Sequence, residues 1–331
     1  MSDPDLTTDA PPVVEPPVGT VDVTVTAPAA APAAGHTGWK YTLPGGLLRA
    51  ARPRQWIKNV LVFAAPGAAG ISLTPGHLAP IFGAFAAWCL VSSGTYLVND
   101  ALDAEADRLH PRKRFRAVAS GVVPVGTARA VGLALLAVGA GAPAAWGAPG
   151  VTGILALYAV ITLSYSLWLK EMAIVDLAAV ASGFVLRAIS GGIAAHVAIS
   201  DWFLIVASFG SLFMVAGKRH AEHLDLREGR GAHRATLEEY SLGFLSYVRS
   251  VSSGVAIAAY CLWAFEKAKL AGDPVLFQLS IIPFVMAILR YALLLDAGRG
   301  GAPEEIVIGD RTLQVLGLVW VALFAAGVYA A

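Results

Sequence analysis

Long apolar runs alternate with short polar breaks along most of this chain. Runs of about 20 apolar residues are long enough to cross a bilayer as helices. The pattern predicts nine spans, at 56–73, 78–98, 124–146, 150–168, 173–196, 201–217, 246–266, 274–295 and 312–330. Turn residues separate several of them: Thr74-Pro75-Gly76, Gly147-Ala148-Pro149-Gly150 and Gly272-Asp273-Pro274. Glycines inside the spans, such as Gly183, Gly191 and Gly192, permit close helix packing. Only the breaks at 99–123 and 218–245 are long and polar, and they are expected to cap a site.

The ends of the chain differ from this pattern. Residues 1–38 are rich in Pro, Ala, Val and acidic residues, with no Lys or Arg before Lys40. No basic n-region or apolar h-region is present, so a disordered tail is expected rather than a signal peptide. Residues 39–331 then form one polytopic membrane domain. At its start Trp39, Lys40, Tyr41, Arg49, Arg52, Arg54 and Trp56 mix aromatic and basic character, which suits a short helix in the headgroup region.

Composition agrees: 56% of residues are hydrophobic and 14% charged, against roughly 25% charged in soluble domains. Charge distribution sets the orientation. With the N-terminus inside, the basic residues outside the spans fall on that side, from Lys40 through Arg227, Arg230 and Arg234 to Arg311. The opposite side receives Lys267 and Lys269 alone. The positive-inside rule therefore places the N-terminus and both polar loops in the cytoplasm. Cys89 and Cys261 lie in apolar runs and read as small hydrophobes without a disulfide. His220 and His223 share a helix face and are expected to be solvated or interfacial.

The chemistry concentrates in Asn99-Asp100-Ala101-Leu102-Asp103-Ala104-Glu105-Ala106-Asp107, which directly follows an apolar run. Asn99, Asp103 and Asp107 recur every four residues and share one helix face. Stacked oxygen side chains are unfavourable unless a cation lies among them. Mg²⁺ meets that need, since it takes oxygen ligands and keeps company with substrate phosphates. Asn99, Asp100, Asp103 and Asp107 are the candidate metal ligands. The basic run that follows, Arg108, Arg112, Lys113, Arg114 and Arg116, suits the phosphates. The alternative is a charged loop that only anchors topology.

Two further groups stand out. Tyr165 and Lys170 precede Asp176, Gly183 and Arg187, which fall near one helix face within an apolar segment. Ionised groups there usually face a bundle interior or a water-filled cavity. They form either an internal ion pair or a second anion or metal contact. Lys218, Arg219 and Glu222 close the sixth span. Two adjacent cations bind phosphate, and Glu222 either orients one of them or accepts a sugar hydroxyl. The loop beyond, with Arg234, Thr236, Glu238, Glu239 and Tyr240, is placed to cover the site. No Ser-His-Asp set, P-loop or Rossmann glycine pattern occurs.

At these residues the chain resembles the UbiA-type prenyltransferase superfamily, whose first motif, N-D-x-x-D-x-x-x-D, is met by Asn99, Asp100, Asp103 and Asp107. The resemblance implies an all-α membrane fold of nine transmembrane helices in a ring around a central cavity with cytoplasmic caps. Arg52 to Asn59, Asp107 to Arg114, Ala119-Ser120-Gly121, Tyr165 to Lys170, Gly183 to Gly192 and Lys218 to Glu222 are similar to the decaprenyl-phosphate phosphoribosyltransferase branch of actinobacteria. It covers roughly 45–330. Two departures stand: Asp176 with Glu171 replaces a close second aspartate pair, and Arg116-Ala117 stands where Arg-Pro is usual.

That branch implies transfer of phosphoribosyl from 5-phosphoribosyl 1-diphosphate to decaprenyl or another polyprenyl phosphate, with diphosphate released, for arabinogalactan cell-wall precursors. The implied location is the bacterial inner membrane, with the site facing the cytoplasm and no nucleic-acid partner. Asp103, Asp107, Asp176 and Lys218 are then the expected catalytic residues. Lys58, Asn99, Arg108, Arg112, Lys113, Arg114, Arg116, Tyr165, Lys170, Arg187, Arg219 and Glu222 are the expected substrate contacts. Gly- and Ala-rich faces permit a homo-oligomer. The rival readings are an aromatic prenyltransferase using an allylic polyprenyl diphosphate and, more remotely, a membrane transporter.

Overall fold

A computed structural model describes residues 38–71, 73–227, 235–270, 274–298 and 303–329. The tail before residue 38, the turn at 271–273, and Arg230, Arg234 and Arg299 lie outside the described residues, as does the side chain of Arg227. Among the described residues, eight helices are long and apolar enough to cross a membrane. They are α1 (Pro75–Leu102), α2 (Val125–Ala145), α3 (Pro149–Leu167), α4 (Val175–Ala194), α5 (Asp201–Arg227), α6 (Leu242–Leu270), α7 (Pro274–Asp296) and α8 (Arg311–Tyr329). Pro sits in the first turn of α1 and α3, where a missing N–H costs nothing.

The segment expected to be the first span is built differently. A 3₁₀-helix, Pro53–Phe63, leads into a short α-helix, Ala64–Ala69. Hydropathy reports apolarity, not hydrogen-bond pattern, and Pro53, Pro66 and Gly67 break a regular α-helix here. The tight geometry lets its backbone press on α4. A Cβ at Gly191 would lie 1.7 Å from the Val62 carbonyl oxygen, so only glycine fits.

Consecutive helices pack against one another from α1 to α8, and α8 touches Ala64–Ala69. The 3₁₀ segment contacts both α1 and α4. The chain therefore closes on itself as a ring. Because neighbours run antiparallel, the C-terminal ends of α1, α3, α5 and α7 and the N-terminal ends of α2, α4, α6 and α8 meet at one end. Outward faces are apolar, with Leu133, Val160, Leu289 and Leu318 exposed, as a lipid-facing surface requires. The buried core centres on Trp88, Val91, Leu155, Tyr158 and Leu186. Cys89 and Cys261 are free.

Candidate active site

The acidic stretch sits where α1 ends. Asp103 steps out of helical geometry (φ −87°, ψ 2°) and a short helix, Ala104–Leu109, restarts behind it. Register survives the step: the Asp103 amide donates to Asn99 O at 2.9 Å and the Asp107 amide to Asp103 O at 2.8 Å. Asn99, Asp103 and Asp107 thus remain stacked, and the Asn99 amide donates to Asp103 Oδ2 at 3.3 Å.

The four acidic-motif side chains do not share one environment. Asp100 and Asp107 are each 2% exposed and turned toward arginines. Arg52 Nη2 lies 2.6 Å from Asp100 Oδ1, and Arg116 Nη1 lies 2.7 Å from Asp107 Oδ2 and 3.3 Å from Asp100 Oδ1. Asn99 and Asp103 face differently: both are half-buried and pair with each other.

Arg52 takes a left-handed conformation (φ 53°, ψ 60°) between the short helix Leu43–Ala51 and Pro53. Such a backbone is unfavourable for a non-glycine residue. The Asp100 pair and stacking over Tyr96 at 4.6 Å hold it there. Arg52, Arg49, Arg112 and Arg116 line a cleft of about 300 Å³, with Asp100 and Phe115. Of the remaining basic run, Arg108 Nε donates to Ala119 O at 3.3 Å and Arg114 stacks on Phe115 at 4.9 Å. Lys58 and Lys113 are half-buried.

A second cluster joins α3, α4 and α5. Arg219, 1% exposed, bonds through each guanidinium nitrogen: Nε to Asp176 Oδ2 at 2.8 Å, Nη1 to Glu222 Oε2 at 2.6 Å, and Nη2 to Tyr165 Oη at 3.0 Å. Lys218 and Glu222 lie at the surface of this cluster, 3.8 Å apart. Lys170 is half-buried, and its carbonyl accepts from Thr236 at 3.3 Å. Tyr240 donates its hydroxyl to Asp176. Burial and that hydrogen bond to a carboxylate push the Tyr240 hydroxyl well above the ordinary tyrosine range.

Arg187 goes elsewhere. It shares a face with Asp176, but eleven residues place it about 16 Å further along the helix, too far to pair. Its guanidinium lies over Trp88 (4.6 Å) and Tyr158 (4.9 Å) and donates to Asn59 Oδ1 at 2.8 Å and Gly183 O at 2.5 Å. It is 5% exposed, within the bundle core. His220, expected to be solvated or interfacial, is buried, and His223 bonds the Leu237 carbonyl.

The UbiA prenyltransferase family pattern matches residues 60–308. The chain belongs to the UbiA prenyltransferase family. Among its UbiA relatives, the decaprenyl-phosphate phosphoribosyltransferase of Corynebacterium glutamicum is 44% identical over 292 residues, covering 87% of this chain and 88% of that protein. The enzyme of the same name from Mycolicibacterium smegmatis is 45% identical over 299 residues, covering 87% and 93%. A UbiA homolog from Archaeoglobus fulgidus, solved bound to GPP and Mg²⁺, has the same fold: TM-score 0.64 at 16% identity, covering 86% of this chain and all of that one.

Whether the UbiA acidic motif here suits a metal is a matter of donors. Among the described residues no three His, Cys, Asp or Glu side chains converge on one point. Asn99 and Asp103 supply hard oxygen ligands, which suit Mg²⁺ when water and substrate phosphates complete its shell. The donor set fits a phosphate-borne Mg²⁺ and not a self-contained protein cage.

Several partners were invisible as roles in the sequence. Arg52 reads as an interfacial cation, and Asn59, Trp88 and Tyr158 read as ordinary span residues. The one available signal was the unusual cost of burying Arg187, which demands polar and aromatic company nearby.

Proposed function

We propose that this protein transfers the 5-phosphoribosyl group from 5-phosphoribosyl 1-diphosphate to a polyprenyl phosphate, decaprenyl phosphate in the first instance, and releases diphosphate. Both phosphoribosyltransferase relatives align over nearly nine-tenths of the chain. The observation that carries the reading is the cleft at the end of α1, where Arg49, Arg52, Arg112 and Arg116 gather beside Asp100. That arrangement suits a donor bearing several phosphates.

Asn99 and Asp103 would hold a divalent metal on the donor's diphosphate, and Asp107 and Asp100 orient Arg116 and Arg52 toward the donor. Mg²⁺, when bound, neutralises charge on the departing diphosphate. Arg112, Lys113 and Arg114 draw the anionic donor in. Lys58, Lys170 and Lys218 grip the 5-phosphate and the lipid phosphate. As the C1–O bond to diphosphate breaks, the ribosyl carbon becomes oxocarbenium-like, and surrounding carboxylates stabilise it. A lipid phosphate oxygen, already ionised at neutral pH, attacks from the opposite face, forming the new C1–O bond with inversion. No general base is required.

The lipid tail reaches this site through the side of the ring, since exposing it to water costs about 0.8 kcal/mol per CH₂. The polar end faces the cytoplasm of the producing cell, following the positive charge. Residues 53–69 make a ninth crossing: about 22 Å of 3₁₀ rise and about 9 Å of α rise approach the roughly 30 Å of a hydrocarbon core.

The test is a donor competition with purified protein, Mg²⁺ and polyprenyl phosphate. Label is expected to move from phosphoribosyl diphosphate into the organic phase. Consumption of an allylic polyprenyl diphosphate with an aromatic acceptor, and indifference to phosphoribosyl diphosphate, would replace this reading with the aromatic prenyltransferase.

A further inference from the structure

Residues 236–240, in the segment expected to cover the site, are tied to the second cluster. Thr236 donates to the Lys170 carbonyl, Leu237 is buried and its carbonyl meets His223, and Tyr240 stacks on Phe244 at 5.7 Å. The Tyr240 hydroxyl makes two contacts at once. It donates to Asp176 Oδ1, and it accepts the Ile174 amide at 2.6 Å.

Ile174 is the odd residue in this contact. It has φ 68° and ψ −45°, with the Val175 amide bonded back to the Ala173 carbonyl at 2.8 Å. That is the rare, strained form of γ-turn, here on a β-branched residue. Ile174 is 63% exposed, so packing of its side chain does not impose the conformation. The turn immediately precedes α4 and decides where Asp176, in the first turn, points.

From Asp176 the contacts run outward. Its other oxygen holds Arg219, and Arg219 holds Glu222, whose second oxygen faces Lys218. Asp176 and Arg219 are sealed, with side chains 0% and 2% exposed, whereas Lys218 and Glu222 are 40% and 30% exposed. The chain of contacts therefore starts at the Tyr240 hydroxyl and ends at the Lys218 ammonium, on a side chain 40% exposed.

We propose that Tyr240 is a positioning residue: by pinning Asp176 and the strained Ile174 turn together it sets Arg219, and through Arg219 and Glu222 it places the Lys218 ammonium against substrate phosphate. Docking of the covering segment and readiness of the cation are then one event. Nothing in this assignment needs Tyr240 to touch substrate. The proposal rests on the transfer reading for its kinetic arm only.

The test compares wild type, Tyr240→Phe, Asp176→Asn and the double variant. Tyr240→Phe keeps the ring on Phe244 and removes only the hydroxyl. Its KM for the phosphate-bearing donor is expected to rise about tenfold while kcat moves less, since a hydrogen bond to a charged group is lost. In the Asp176→Asn background the same change is expected to add less than about twofold, because both act through one contact chain. Hydrogen exchange of the Ile174 amide is expected to quicken in Tyr240→Phe, and binding of Mg²⁺-diphosphate, measured without turnover, to weaken about tenfold. The exchange and binding arms stand even if wild type transfers no phosphoribosyl, which would fail the transfer reading alone. A lower melting temperature with unchanged KM and unchanged diphosphate binding would make Tyr240 merely structural and overturn the proposal. Full additivity with Asp176→Asn would do the same.

Discussion

Two arginine–carboxylate knots stand at the polar end, and they differ in one respect. In the first, Asp100 and Asp107 are buried but Arg52 and Arg116 keep 29% of their side chains exposed. In the second, Asp176 and Arg219 are both sealed. A half-exposed guanidinium can share its fork between a carboxylate and an arriving phosphate at little cost. A sealed one cannot, because releasing its partner strands a buried charge. The same pair of functional groups is therefore open to solvent in one place and ties three helices together in the other.

This difference can be broken by mutation. The largest effect is expected at the sealed knot: Asp176→Asn should destabilise the protein by about 3–5 kcal/mol, since Arg219 loses its buried counter-charge. Thermal unfolding in detergent measures it. At the open knot, Arg112→Ala removes a cleft-lining cation on the exposed surface. Stability should stay within about 0.5 kcal/mol, while donor KM rises several-fold, roughly the loss of one charge-assisted contact. Equal destabilisation by the two variants would erase the distinction.

The smallest effect concerns pH. The Tyr240 pKa is raised by burial and by its bond to Asp176, so the folded state favours the protonated phenol. Its contribution is complete below the ordinary tyrosine value of about 10 and is lost only as pH rises through the raised value. The difference in melting temperature between wild type and Tyr240→Phe should therefore be constant from pH 7 to pH 9. A difference that shrinks in that window would mean the phenol ionises early and is not held by Asp176.

Hydropathy located the eight long helices because a lipid-facing surface leaves no other choice of residue. Where a ninth span was expected at 56–73, the chain forms the 3₁₀ segment and the short helix instead, and Gly191 admits the Val62 backbone of that segment from across the bundle. The acidic face was legible because helical spacing is local, and the i to i+4 bonds at Asn99, Asp103 and Asp107 preserve it. What spacing could not show was partner choice. Asp176 and Arg187 share a face, yet one answers Arg219 and Tyr240 while the other answers Asn59, Trp88 and Tyr158. Those partners come from other helices, and nothing local to α4 specifies them.

In the proposed reaction Asn99 and Asp103 would hold a divalent metal on the diphosphate of a phosphoribosyl donor. Transfer of labelled phosphoribosyl to polyprenyl phosphate across a Mg²⁺ titration, with wild type beside Asp103→Asn, tests this role directly. Wild type is expected to show Mg²⁺-dependent transfer, and the variant to lose about a hundredfold or more at unchanged melting temperature. Transfer by Asp103→Asn at the wild-type rate and with the same Mg²⁺ dependence would contradict that role.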